Sequence, residues 1–125
     1  MPVVGIGTDI IEISRITNME EDTRDRLAKR VLTMVEYQFY CDTNHPDRYL
    51  AKRWAGKEAT AKALGTGIAD GVSFQHITIK SLASGQPILE LSARALDVAK
   101  LLKANHWHIS LADEKHYATA FVTLS

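Results

Sequence analysis

A chain of 125 residues with 15 basic and 15 acidic side chains has room for one domain, 1–125, and carries no cationic excess. Affinity gained by neutralising many phosphates needs such an excess, so the balance argues against a nucleic-acid binder. At 46% hydrophobic residues and mean hydropathy −0.13, with no apolar run of bilayer length, the composition is that of a soluble protein without a membrane segment. The opening Met1-Pro2-Val3-Val4-Gly5 lacks the basic start and apolar core of a secretory signal. The lone Cys41 cannot form an internal disulfide, which fits a reducing, cytoplasmic setting.

In chain order, Val3 to Thr8 reads as a short buried strand, and a helix is expected from about Glu12 to Met19. A second helix is expected from about Thr23 to Val31. Thr33 with Glu36 three positions on is a capping-box signature opening a helix through Tyr40. Asn44-His45-Pro46 starts the longest helix, and Gly65 ends it. Gln75 to Lys80 and Ile88 to Leu91 read as strands joined through the turn Ser84-Gly85-Gln86-Pro87. Ser92 is placed to cap a helix to Lys103 that buries Ala95, Val98, Ala99 and Leu102 on one face. Trp107, Ile109 and Leu111, then Ala118, Ala120, Val122 and Leu124, alternate as the two arms of a hairpin turning near Glu114-Lys115. Helices followed by strands, after one opening strand, define an α+β fold.

The segment Gly5-Ile6-Gly7-Thr8-Asp9 lacks the third glycine of a dinucleotide fingerprint, because Ile10 stands there. It leaves Asp9 at a strand's end, either as a helix N-cap or as an oxygen ligand for a hard cation. On the long helix Arg53 and Lys57 share one face, suited to phosphate oxygens, and Glu58 and Lys62 share another. The plainer account of the latter is a helical ion pair worth about 0.2–0.5 kcal/mol. Gly56 inside this helix calls for a packing or ligand reason. Gly65-Thr66-Gly67 ends the helix, or lets backbone N–H groups approach an anion. Arg15, Arg24, Arg26, Lys29 and Arg30 make a cationic set that is either a solvated face or a landing site for an acidic partner. His106 and His108 have no thiolate or His-Glu-x-x-His partner, so zinc is not indicated. Cys41 carries no nucleophile signature.

Taken in order, Gly5 through Glu12, Arg15-Ile16, Arg30-Val31-Leu32-Thr33, Lys52 through Ala59, Lys62 through Gly67, Gly85-Gln86-Pro87 and His108 through Ala118 closely resemble the bacterial holo-[acyl-carrier-protein] synthase family. The resemblance spans nearly the whole chain. It implies a 4′-phosphopantetheinyl transferase fold, an antiparallel sheet packed with helices, assembled as a homotrimer with active sites between neighbouring subunits. It further implies that Asp9 and Glu58 hold Mg²⁺ together with the pyrophosphate of coenzyme A, and that a serine of acyl carrier protein attacks the β-phosphate with 3′,5′-ADP leaving. Mg²⁺ suits few carboxylates plus phosphate oxygens. By the same resemblance Glu58, directly or through a metal-bound water, accepts the serine proton, and Lys62 stabilises the leaving phosphate. Arg53 contacts the 3′-phosphate, Gly65 and Pro87 lie near the nucleotide, and Arg15, Arg24 and Arg30 receive the acidic carrier helix. Two positions depart from the family's pattern. Asp113 stands where many members carry His, so no role carries over to it, and Trp54 replaces the more usual Phe.

Two other classes compete: another Mg²⁺-dependent phosphate-cleaving enzyme, which would act on coenzyme A without a carrier protein, and a non-catalytic basic adaptor, which would need neither Asp9 nor Glu58.

Overall fold

In the computed structural model, which describes residues 2–125, the chain forms β1 (Gly5–Glu12), α1 (Ser14–Thr17), α2 (Glu21–Val31), α3 (Met34–Asp42) and α4 (Pro46–Leu64). A 3₁₀ turn (Phe74–His76), β2 (Ile77–Ser81), β3 (Pro87–Leu91), α5 (Ala93–Leu101), β4 (Trp107–Asp113) and β5 (Tyr117–Leu124) follow. Met1, the first residue of the expected 1–125 domain and of the N-terminal segment judged against a secretory signal, lies outside the described residues. The α+β class and the antiparallel pairing are as expected, in a three-stranded sheet of order β1-β5-β4 and a β2-β3 hairpin.

Local signals set the helix ends. Thr33 and Glu36 close the capping box, with the Glu36 N–H donating to Thr33 Oγ1 at 3.4 Å and the Thr33 N–H to Glu36 Oε1 at 2.8 Å. Pro46 occupies the first turn of α4, and Gly65 ends it at φ 81°, a left-handed conformation that favours glycine. The two glycines of the opening motif serve packing. A side chain on Gly7 would collide with the Ala59 carbonyl oxygen, and one on Gly5 with that of Ala63. Strand β1 therefore lies directly against α4, which brings Asp9 to the helix that carries Glu58. Gly56 is the same kind of contact, since a Cβ there would strike the Ile79 side chain and press on Ile109.

Several expectations need correction. Strand β1 runs to Glu12 because all eight residues pair with β5, so Asp9 sits mid-strand opposite Ala120 and caps no helix. The helix expected over Glu12–Met19 shrinks to the single turn α1. Nor is β1 buried on both faces. Gly7 and Ile11 turn inward, while Ile6 and Ile10 stay 61% and 60% exposed beside Phe121 at 42%. Gln75 lies in the 3₁₀ turn, with its side chain bonded to the Arg30 and Leu32 carbonyls. Ser92 does not cap α5; its hydroxyl donates to the His76 carbonyl oxygen. That helix stops at Leu101, two residues before Lys103 turns left-handed at φ 63°.

Candidate active site

Asp9 and Glu58 come within electrostatic range of one another where β1 lies against α4. The Glu58 carboxyl is pushed above its ordinary value, first by burial and next by the negative charge of Asp9, while the Trp54 indole, Lys62 and Arg30 oppose the shift. Lys62 does not pair with Glu58 along the helix, as the plainer account had it. Its Nζ reaches back to Asp9 Oδ1 and to the Thr8 carbonyl oxygen, both at 2.9 Å. Glu58 thus feels the charge of Asp9, which holds Lys62, and Asp9 and Lys62 line a groove of about 440 Å³ with Ser110, Ala120 and Phe121.

The donor set fits a hard cation. The charge of Asp9 raises the proton affinity of Glu58, a divalent ion would relieve that repulsion, and hard oxygen donors suit Mg²⁺. Among the described residues no group of three or more His, Cys, Asp or Glu is arranged to enclose a metal. A pair alone leaves coordination positions for phosphate oxygens.

The face shared by Arg53 and Lys57 exists, but it is turned inward. Lys57 has no exposed surface and is bonded to Glu36, so it is not available to a phosphate. Arg53 is 7% exposed; its guanidinium donates to Ser81 Oγ at 3.0 Å and lies 4.6 Å over the Tyr49 ring. Its Nε has no partner and belongs to a groove of about 290 Å³ walled by Val35, Phe39, Tyr49 and Ile79. An orphaned, buried guanidinium N–H is a waiting anion donor. Pro87 begins β3 opposite Ser81, at the same hairpin. Gly65 and Gly67 have left-handed backbones facing open space after Lys62.

Of the cationic set, Arg15 lies 5.3 Å over Trp54, the residue whose indole faces Glu58. Arg30 stands 5.8 Å over Phe74, and its charge is felt at Glu58. Arg24 is directed toward Asp47 at 3.7 Å. Arg15 and Arg30 therefore border the carboxylates, and Arg24 lies further along the same helix as Arg30.

Asp113 acts as a clamp in place of an imidazole. Arg48 donates to Asp113 Oδ2 at 3.0 Å and to the Glu114 and Lys115 carbonyls at 2.6 and 3.1 Å, and Lys52 reaches Asp113 Oδ1 at 3.2 Å. The β4-β5 turn is thereby fixed to α4. Partial burial acts to raise the Asp113 pKa, but Lys52 and Arg48 outweigh it and hold the carboxyl below its usual range. A lowered folded-state value stabilises above the unfolded pKa and is lost as pH falls through the folded one. Asp113→Asn is expected to cost at most about 1 kcal/mol at neutral pH, given its exposure, and less near pH 3. Thermal melts at the two pH values check this; an equal penalty at both would contradict it.

Sequence reasoning missed Glu36 and Lys57 as partners. The capping signature located Glu36, but nothing local announced a lysine 21 residues away as its counter-ion.

Residues 5–122 match the family model described as the 4′-phosphopantetheinyl transferase superfamily. The chain is 55% identical over 124 residues, 99% of its length and 98% of the relative's, to a holo-[acyl-carrier-protein] synthase of Shewanella frigidimarina. Its fold matches the crystal structure of the holo-[acyl-carrier-protein] synthase from Neisseria meningitidis with TM-score 0.89 and 37% identity, covering 99% of both chains. The synthase from Bacillus anthracis, solved in complex with CoA (3′,5′-ADP), matches with TM-score 0.79 and 35% identity over 98% of this chain and 96% of that one. The chain belongs to this superfamily and, within it, to the holo-[acyl-carrier-protein] synthase family of transferases.

Proposed function

We propose that the protein transfers 4′-phosphopantetheine from coenzyme A to a serine of apo acyl carrier protein, with Mg²⁺ bound and 3′,5′-ADP released. The observation that carries this reading is that Asp9, held by Lys62, lies close enough to Glu58 for its charge to be felt there. Family membership and a relative solved with CoA (3′,5′-ADP) support it.

Held by Asp9 and Glu58, Mg²⁺ would supply charge neutralisation at the pyrophosphate as the bond between its phosphates breaks. The chain's own groups do the rest. Glu58 takes the proton of the carrier serine as Oγ bonds to the β-phosphorus; a raised carboxyl value makes it a better acceptor. Lys62, able to swing from Asp9, places its ammonium at the α-phosphate that departs with 3′,5′-ADP. Gly65 and Gly67 let backbone approach the same phosphates. The Arg53 Nε–H meets the 3′-phosphate, with Pro87 shaping the nucleotide side of the hairpin.

Arg53 and Glu58 lie five positions apart on α4, about 140° around the helix, so the two half-sites face different directions. One coenzyme A reaching both is best served by two neighbouring protomers. The apolar outer face of the sheet, with Ile6, Ile10 and Phe121, offers the surface such neighbours would cover, in keeping with a homotrimer. Among the described residues no helix is long and apolar enough to cross a membrane, and Cys41 is an exposed free thiol, which accords with work in the cytoplasm.

The test is direct: protein, apo carrier protein, coenzyme A and Mg²⁺ are mixed and the carrier is weighed by mass spectrometry. A gain of one phosphopantetheine is expected, lost with chelator. Consumption of coenzyme A with an unlabelled carrier would mean a phosphate-cleaving enzyme of another kind. Arg15→Glu should raise the KM for carrier about tenfold at low salt, less at high salt, and leave the KM for coenzyme A in place. Equal effects on both substrates would remove Arg15 from the docking face.

A further inference from the structure

Lys57 is the largest fully buried side chain among the described residues, and it stands one position before Glu58. Its three ammonium protons are all placed: Glu36 Oε1 at 2.6 Å, the Val31 carbonyl oxygen at 2.7 Å and that of Phe74 at 3.2 Å. Glu36, 3% exposed, also accepts from the Thr33 N–H on Oε1 and the Ile79 N–H on Oε2, both at 2.8 Å. One ion pair thus joins the end of α2, the start of α3, the 3₁₀ turn and β2 to α4. Gln75 Nε2 adds bonds to the Arg30 and Leu32 carbonyls at 3.2 and 2.9 Å, so three successive carbonyls at the exit of α2 are held.

Stability alone does not call for this chemistry, because apolar side chains of similar volume hold buried elements together as well or better. What charged, directional bonds add is a fixed distance and angle. The helix they fix is α2, which carries Arg24 and Arg30, and they fix it to the residue preceding the carboxylate that meets the serine. We propose that the Glu36–Lys57 pair, with Gln75, is a positioning device that sets the carrier-docking helix against Glu58, so that a bound carrier's serine arrives within reach. This rests on the transferase reading above. Glu36 also lines the groove at Arg53, whereas Gln75 does not, so a change at Gln75 reads docking apart from nucleotide binding.

The double variant Glu36→Gln with Lys57→Met removes both charges and keeps an acceptor for the Ile79 N–H. In the full-length protein it is expected to stay folded at the assay temperature by circular dichroism. At saturating coenzyme A it should lose kcat/KM for carrier by about 10–100-fold, the scale of a small misplacement of reacting groups. Gln75→Ala, which strands no charge, should shift the same parameter in the same direction by a smaller factor. A folded double variant with wild-type carrier kinetics overturns the proposal. If the double variant does not fold, Gln75→Ala decides, and unchanged carrier kcat/KM there overturns it. Wild-type protein that labels no carrier at all would remove the transferase reading and the positioning role with it; wild-type labelling beside an unimpaired variant removes the positioning role alone.

Discussion

Glu58→Gln is expected to lower the rate of phosphopantetheine transfer by about 10²–10⁴-fold while leaving the protein as stable as before or slightly more so at neutral pH. The amide neither accepts the serine proton nor holds a divalent ion as a carboxylate does. The stability side follows from the raised pKa. Burial and Asp9 make the ionised carboxyl less favourable in the folded chain than in the unfolded one. Its ionisation therefore opposes folding once pH rises above the ordinary glutamate value, so replacing it relieves a cost that vanishes in acid. Melting the variant and wild type at pH 7 and below pH 4 shows this, with any stability advantage confined to the higher pH. Transfer at the wild-type rate would remove Glu58 from the chemistry, and a large drop in melting temperature would make it structural.

The neighbouring residue should behave in the opposite way. Lys57→Met leaves Glu36 buried, ionised and without its counter-ion, a change that costs about 3–5 kcal/mol. Burial pulls the Lys57 ammonium below the usual lysine range, Glu36 pulls it back and Arg53 adds to the lowering, so the pair survives because each partner answers the other. A loss of about 10 °C or more in Tm is expected for a chain of this length. Adding Glu36→Gln should recover part of it, since the stranded charge is gone. Calorimetry on the single and double variants measures both. A single variant that melts with wild type would mean that the pair is not the buried, dry contact described. Two adjacent residues on one helix would thus divide the work: Lys57 holds the fold together, and Glu58, on the proposed reading, serves the reaction.

What could be read from the sequence depended on how far apart the interacting groups lie. The capping box of Thr33 and Glu36 was legible because three residues suffice to make it, as were the Pro46 start and Gly65 stop of α4 and the turn between β4 and β5. Strand β1 was read too short, since its second half, Asp9 to Glu12, is held as a strand by Ala120 to Tyr117 at the other end of the chain. From Glu12 onward the sequence reads locally as the start of a helix. Arg53 and Lys57 were correctly placed on one face by helical spacing, but spacing does not say whether a face meets water or Glu36. The pairing of Glu58 with Lys62 was equally sound for an isolated helix and is displaced by Asp9, which β1 carries in from 53 residues before Lys62. A strand's end offered Asp9 as a possible cation ligand, but Glu58, and the pairing of the two, entered only through the family resemblance. No local pattern joins a mid-strand aspartate to a mid-helix glutamate.

The close approach of β1 to α4 is what turns these two side chains into one site, and it depends on Gly5 and Gly7 having no side chains. The motif that resembles a nucleotide fingerprint thus works at one remove, by letting strand and helix touch. Co-crystals grown with coenzyme A and Mn²⁺ in place of Mg²⁺ put the outcome in view through the anomalous signal of the metal. One peak between the carboxylates of Asp9 and Glu58, in contact with the pyrophosphate, is the expected result. Coenzyme A bound with its pyrophosphate away from both carboxylates, or the metal held elsewhere on the chain, would contradict it.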